Sequence, residues 1–240
     1  MRRNHPPEKE NKTIMQSNTL EAPVVRVPEP STNHTNAAAI LAGAALVATT
    51  LSAQTKPVTD IDILNYALTL ENLEANFYTQ GLKRFSSSDF AQGAFAANLG
   101  NPNNFFGDSV TGDVYSYLLL IRDHEQTHVR FLTRTIQALG GTPTPPCTYD
   151  FKYNTLDEFL ATGKVLEDTG VSAYAGAAKL IKDAKILTAA ATIATVEARH
   201  ASYLRLITGD IPFPNAFDPA KTMAEVLAAA GGFIVSCPAK

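Results

Sequence analysis

Tryptophan is absent from the 240 residues, and cysteine occurs twice, as Cys147 and Cys237. Neither cysteine belongs to a CxxC pair, which excludes a zinc ribbon and a thioredoxin-type redox motif. Both sit in proline-containing, irregular stretches. They can form one disulfide in an oxidising compartment, or remain two ordinary thiols elsewhere. Charge is sparse as well: 18% of residues are charged, the net charge is −3, and no concentrated basic patch points to a nucleic-acid partner. Strand-like alternation is missing throughout 55–240, so no sheet is expected there. What is plentiful is alanine, especially from Ala173 to Ala201, within a chain that is 45% apolar. That composition favours close-packed helices around a sizeable core.

The N-terminal fifth stands apart. Residues 1–36 are polar, charged and proline-rich without periodicity, a composition that does not fold alone. Residues 37–53, AAAILAGAALVATTLSA, then form an uncharged apolar run. It is short for a membrane span, which needs about 20 apolar residues. Its small-residue end fits a secretory signal with Ala53 as the last residue removed, and Met15 would give the more ordinary leader. The expected location is therefore exported: periplasmic, cell-envelope or extracellular. The alternatives are an uncleaved tail on a cytoplasmic protein, or a single anchor, the one route by which this chain would meet a membrane.

From residue 59 to 235 the pattern is that of an all-α domain with four long helices. The first spans about Asp60 to Leu82, opened by Thr59 with Asp62 three residues on, an acidic capping box. A long Ser-, Asn-, Gly- and Phe-rich connection, 83–111, precedes a second helix from about Asp113 to Leu139. A Pro-rich crossover, GGTPTPPCTYDF, leads to a third helix that Thr155 and Glu158 open and that ends near Lys182. The fourth runs on to about Thr208, and 219–230 reads as a short fifth helix outside the bundle.

Two of these helices carry the same unusual sequence. Glu125-Gln-Thr-His128 lies on the second and Glu197-Ala-Arg-His200 on the fourth, each followed by an aromatic and a leucine. With only 5 histidines in the chain, two such coincidences are not expected from composition. Each pair occupies the centre of an apolar seam: Leu118, Ile121, Glu125, His128, Leu132, Thr135, Leu139 on one, and Ile186, Ala190, Ile193, Glu197, His200, Leu204, Ile207 on the other. No Lys or Arg lies on either seam. A carboxylate buried without a cation costs several kcal/mol, so a metal ion is the economical partner.

The first and third helices supply matching carboxylates. Glu71 precedes Tyr78 by seven residues, as Glu167 precedes Tyr174, in stripes reading Leu64, Ala67, Glu71, Glu74, Tyr78 and Leu160, Gly163, Glu167, Gly170, Tyr174. The chain thus reads as two related halves, each giving Glu and then Glu-x-x-His. At about 1.5 Å per residue, Glu167 and Glu197 fall within roughly 3 Å of one level on either side of the turn near residue 183. One Glu from each of two helices plus Glu-x-x-His from each of the other two is the donor set of di-iron and di-manganese bundles. Hard carboxylates with two imidazoles suit two Fe or Mn ions and offer no thiolate to favour zinc. Glu74 has no counterpart, Gly170 standing in its place. It is ranked behind Glu71, as a supporting group or alternative ligand.

On these residues the region 59–235 resembles the ferritin-like superfamily. Within that superfamily it is most similar to the desiccation-related plant proteins and fungal and bacterial stress proteins. The stretches that carry the resemblance are DIDILNYALTLENLEANFY, HEQTHVRFL, CTYDF, EDTGVSAYAGAAKLI and VEARHASYLR. The resemblance implies a ferritin-like four-helix bundle with a di-metal site at Glu71, Glu125, His128, Glu167, Glu197 and His200. It does not imply iron storage. The expected role is in oxidative or desiccation stress, with oxidation of Fe(II) or removal of O₂ or peroxide as the expected chemistry of a metal pair and a homo-oligomer as one outcome.

Two other readings use the same residues. His124-Glu125-Gln-Thr-His128 matches HExxH, in which His124 and His128 would hold zinc and Glu125 would be the general base of a metallopeptidase. Against it, His124 falls beside the seam, near Tyr117 and Phe131, and the repeat has Val196 at the equivalent position. The second alternative is a stress-protective structural bundle without redox activity. For Tyr78 and Tyr174 the plain expectation is core packing with a satisfied hydroxyl, and for Arg122, Arg130 and Arg199 a solvated helix face.

Overall fold

The computed structural model describes residues 57–92 and 114–238. The leader 1–53 with its apolar run 37–53, and most of the 83–111 connection, lie outside the described residues. Four long helices dominate: α1 (Asp60–Arg84), α3 (Val114–Ala138), α4 (Leu156–Ala178) and α5 (Ala184–Ile207). Two short ones accompany them, α2 (Ser87–Gln92) after α1 and α6 (Met223–Ala230) near the C-terminus. α1 pairs extensively with α3 and α4 with α5; α1 also lies along α4, and α6 rests on α4. Among the described residues, no helix is long and apolar enough to cross a membrane.

The helix starts follow local chemistry. Thr59 and Thr155 accept the N3 backbone N–H of Asp62 and Glu158, whose carboxylates return the bond, so both sequence-read capping boxes are formed. α4 stops at Ala178, four residues before the expected Lys182. Asp60 at the α1 N-terminus explains the difference: its carboxylate accepts the N–H groups of Lys182 and Asp183 at 2.9 Å each. Those groups are therefore unavailable to a continuing helix, and the Asp183 side chain caps α5 instead. α6 is shorter than the expected 219–230 because Thr222 and Glu225 form a third capping box there. The chain before α6 docks on α4 at Gly176, where a Cβ would lie 1.7 Å from the Lys221 carbonyl oxygen. Only glycine permits that approach.

The buried stripe of α3 is Val114, Leu118, Ile121, Glu125, His128, Leu132 and Ile136. The heptad reading is right through Leu132 and then drifts. Ile136 rather than Thr135 faces inward and Leu139 is exposed, because a helix of 3.6 residues per turn leaves a strict seven-residue stripe. α1 is buried around most of its circumference, from Ile63 to Leu82, and is the helix about which the others assemble.

The expectation of no strand is corrected. Thr148–Tyr149 and Ile234–Ser236 pair antiparallel, beside a disulfide between Cys147 and Cys237. The strands are too short to show alternation, and the covalent link brings them together. The bridge joins the crossover to the C-terminal segment across 90 residues of sequence. Tyr149, Phe151 and Tyr153 of the crossover turn inward onto the aromatic cluster around Phe77 and Phe159. The Arg84 guanidinium donates to the Tyr153 and Asn154 carbonyls. Replacing both cysteines by alanine is expected to cost about 2–5 kcal/mol in urea unfolding while the helical circular-dichroism signal persists. An unchanged midpoint would show that the bridge constrains nothing.

Candidate metal centre

Five glutamates meet in the interior with two histidines and no Lys or Arg: Glu71, Glu125, Glu167 and Glu197 at 0% exposure, Glu74 at 3%, His128 at 9% and His200 at 5%. They fall into two overlapping groups. Glu71, Glu125, His128 and Glu197 each present one ligand atom within 4.8 Å of the others, and so do Glu125, Glu167, Glu197 and His200. Glu125 and Glu197 belong to both. All six residues read from the sequence are brought together, from four helices, at one depth.

Both imidazoles turn Nδ1 toward the carboxylates. His128 Nδ1 lies 3.0 Å from Glu71, 3.3 Å from Glu125 and 3.2 Å from Glu197. His200 Nδ1 lies 2.9 Å from Glu125 and 3.3 Å from Glu167. The two approaches of His200, and that of His128 to Glu197, have ion-pair distance without hydrogen-bond alignment. His200 Nδ1, Glu125 Oε1, Glu167 Oε2 and both Glu197 oxygens therefore have no hydrogen-bond partner. Buried polar atoms are normally satisfied. Five converging, unsatisfied ligand atoms of carboxylate and imidazole type fit a metal ion. Hard oxygens with two nitrogens and no sulfur are a donor set that can hold metal ions.

Proton affinity shows the same strain. Burial raises the Glu125 carboxyl to about 7, against the lowering effect of His128 and His200. Burial, then the charges of Glu125, Glu71 and Glu167, hold Glu197 well above the ordinary range. Burial opposes charge on His128, yet the closeness of the Glu125, Glu197 and Glu71 carboxylates outweighs it and pushes the ring up to about 12. For His200, burial is likewise outweighed, by the Glu167 charge and the closeness of Glu125 and Glu167, and the ring rises to about 10. Without metal the carboxylates recruit protons and imidazolium; a divalent cation is the better counter-charge.

The tyrosines cross between the halves. Tyr78 on α1 donates to Glu167 Oε1 on α4, and Tyr174 on α4 donates to Glu71 Oε1 on α1, each at 2.5 Å. Their hydroxyls are satisfied as expected, but by the outer carboxylates themselves, so each orients a candidate ligand. The seven-residue Glu–Tyr spacing was the available signal; the exchange of partners follows from α1 and α4 lying side by side. Glu74 belongs to neither group. Its carboxyl is held well above the ordinary range by burial, then by the charges of Glu197, Glu167, Glu125 and Glu71. It fills the space left by Gly170, where a Cβ would lie 3.0 Å from Glu74 and 3.2 Å from Glu197.

The HExxH arrangement is not formed. His124 is exposed and does not converge with His128; its ring lies nearly coplanar with that of His200, edge to edge, with Nδ1 3.0 Å from His200 Nε2. The sequence reading placed it beside the seam and missed this contact. Its position one residue before Glu125, on the side facing α5, was the signal. Among the arginines, Arg122 pairs with Asp123 and Arg130 donates to Thr127, both on the outer face.

Four packed helices around a buried Glu/His cluster define a helical bundle whose core can hold metal ions. The chain belongs to the ferritin-like domain family, whose model matches residues 59–210. It is similar to Protein rds1 of Schizosaccharomyces pombe, 24% identical over 186 residues, covering 77% of this chain and 42% of that protein. The chain therefore corresponds to less than half the length of that relative.

Proposed function

We propose that the protein is a ferritin-like di-metal protein of oxidative or desiccation stress, holding two Fe or Mn ions and oxidising Fe(II) or consuming O₂ or peroxide. The observation that carries the reading is the pair of four-residue groups sharing Glu125 and Glu197. Glu125 and Glu197 would bridge the two positions. Glu71 and His128 would complete one, Glu167 and His200 the other. Two adjacent ions there would supply two-electron exchange with O₂ or peroxide. The chain's own contribution is to exclude water, to orient Glu71 and Glu167 through Tyr174 and Tyr78, and to offset charge with neutral donors. The stress role rests on the sequence resemblance. The Cys147–Cys237 bridge supports an exported location, since such bonds persist in oxidising compartments.

Elemental analysis of the purified protein, followed by anaerobic Fe(II) or Mn(II) loading and exposure to O₂ or peroxide, tests the reading. About two ions per chain with reactant-dependent oxidation is the expected result. One bound zinc with casein cleavage would replace it by the peptidase. A metal-free protein whose melting temperature ignores both ions would replace it by the structural bundle.

A further inference from the structure

The two halves of the centre are not equivalent, and His124 marks the difference. A histidine that binds metal through Nδ1 must carry its proton on Nε2, and that N–H needs an acceptor that holds the ring in place. For His200 the acceptor is present. The carboxylates surround its Nδ1, and its Nε2 faces His124 Nδ1 at 3.0 Å, with the two rings 14° from parallel. No ligand of either group lies on the His124 side. The roles follow the tautomer: a neutral ring protonated on Nδ1 would accept at Nε2, whereas a metal at Nδ1 leaves Nε2–H to donate and His124 Nδ1 to accept. His124 must then be neutral with its own proton on Nε2, toward solvent, where it is exposed. For His128 the equivalent place on α5 is Val196, whose side chain has no acceptor.

We propose that His124 is a positioning residue that locks His200 into Nδ1 coordination and makes the His200–Glu167 end of the centre the tighter of two unequal metal positions. The proposal rests on the di-metal reading above.

Two variants separate acceptor from packing. His124→Phe keeps a flat ring against His200 and removes the acceptor. His124→Asn loses the ring and places an amide oxygen near the former Nδ1. Full-length wild type and both variants are titrated anaerobically with Mn(II) by calorimetry and with Co(II) by proton NMR, where metal-bound imidazole N–H resonances are shifted and exchange-sensitive. Wild type is expected to bind in two distinguishable steps. His124→Phe should weaken one step by about 10–100-fold and broaden or remove one of two shifted N–H signals. His124→Asn should recover most of the affinity and the signal. Equal weakening of both steps, no change in either, or an Asn variant as weak as the Phe variant would overturn the proposal. Two equal, independent steps in wild type would overturn the inequality while leaving the di-metal reading intact. Absence of binding in wild type would remove both together. Because His124 is exposed, thermal melts of the metal-free variants should coincide with wild type, and a collapse of both would refute a role confined to the ring contact.

Discussion

Stripped of metal, the protein is expected to lose stability as pH rises from about 5 to about 8, and Mn(II) or Fe(II) is expected to reverse that trend. Glu125 titrates near 7 in the folded chain against an ordinary value of 4.5. Between those values the unfolded chain has released a proton that the folded chain retains. The associated stability is complete below 4.5 and is lost as pH climbs through 7. Glu74 and Glu197 are shifted in the same direction. His128 and His200, raised from 6.5 to about 12 and about 10, continue the decline at higher pH, because the unfolded rings deprotonate first. For Glu125 alone the loss is on the order of 3 kcal/mol, or roughly 6–12 °C in melting temperature. Metal binding displaces these protons, so its affinity and its stabilising effect both grow with pH. Thermal melts of chelator-treated protein, with and without Mn(II), should therefore diverge more at pH 8 than at pH 5. A flat profile that metal leaves untouched would contradict the electrostatics of the site.

Glu197→Met is expected to stabilise the metal-free protein and abolish the di-metal centre at once. Glu197 is fully buried, both its oxygens lack hydrogen-bond partners, and it feels the charges of Glu125, Glu71 and Glu167. An apolar chain of similar length removes that repulsion, and such replacements of buried charge are neutral or stabilising by about 1–4 kcal/mol. His128 keeps Glu71 and Glu125 as neighbours. Because Glu197 is shared by both groups, the variant should retain at most one ion of an expected pair, and its melt should respond to Mn(II) less than that of the wild type. Elemental analysis and melting at pH 8 check both halves of the expectation. Two ions per chain in the variant would show that Glu197 is no bridge.

Most of the fold was legible because burial leaves a periodic trace. The stripes on α1, α3, α4 and α5 could be read by spacing, and a carboxylate in the middle of each stood out against apolar neighbours. Thr59–Asp62 and Thr155–Glu158 marked helix starts because a capping box is local chemistry. What depends on contacts between distant segments left weaker traces. The end of α4 is set by Asp60, more than a hundred residues upstream. The Thr148–Tyr149 strand exists through a partner near the C-terminus and a bond that composition left open. The His124–His200 contact depends on the rotation of α3 against α5, which seven-residue spacing defines only to within a turn.

The crossed tyrosines also bear on how such a protein could have arisen from a repeated unit. Each copy, α1 with α3 or α4 with α5, contains a Glu, a Glu-x-x-His and a tyrosine, yet Tyr78 serves Glu167 and Tyr174 serves Glu71. A single copy would have its donor and its carboxylate but not in contact with one another. Two copies side by side satisfy both, so the exchange itself makes dependence between the halves obligatory. Gly170 and His124 differ from their counterparts Glu74 and Val196, yet the crossed hydroxyls still tie each half to the carboxylate of the other.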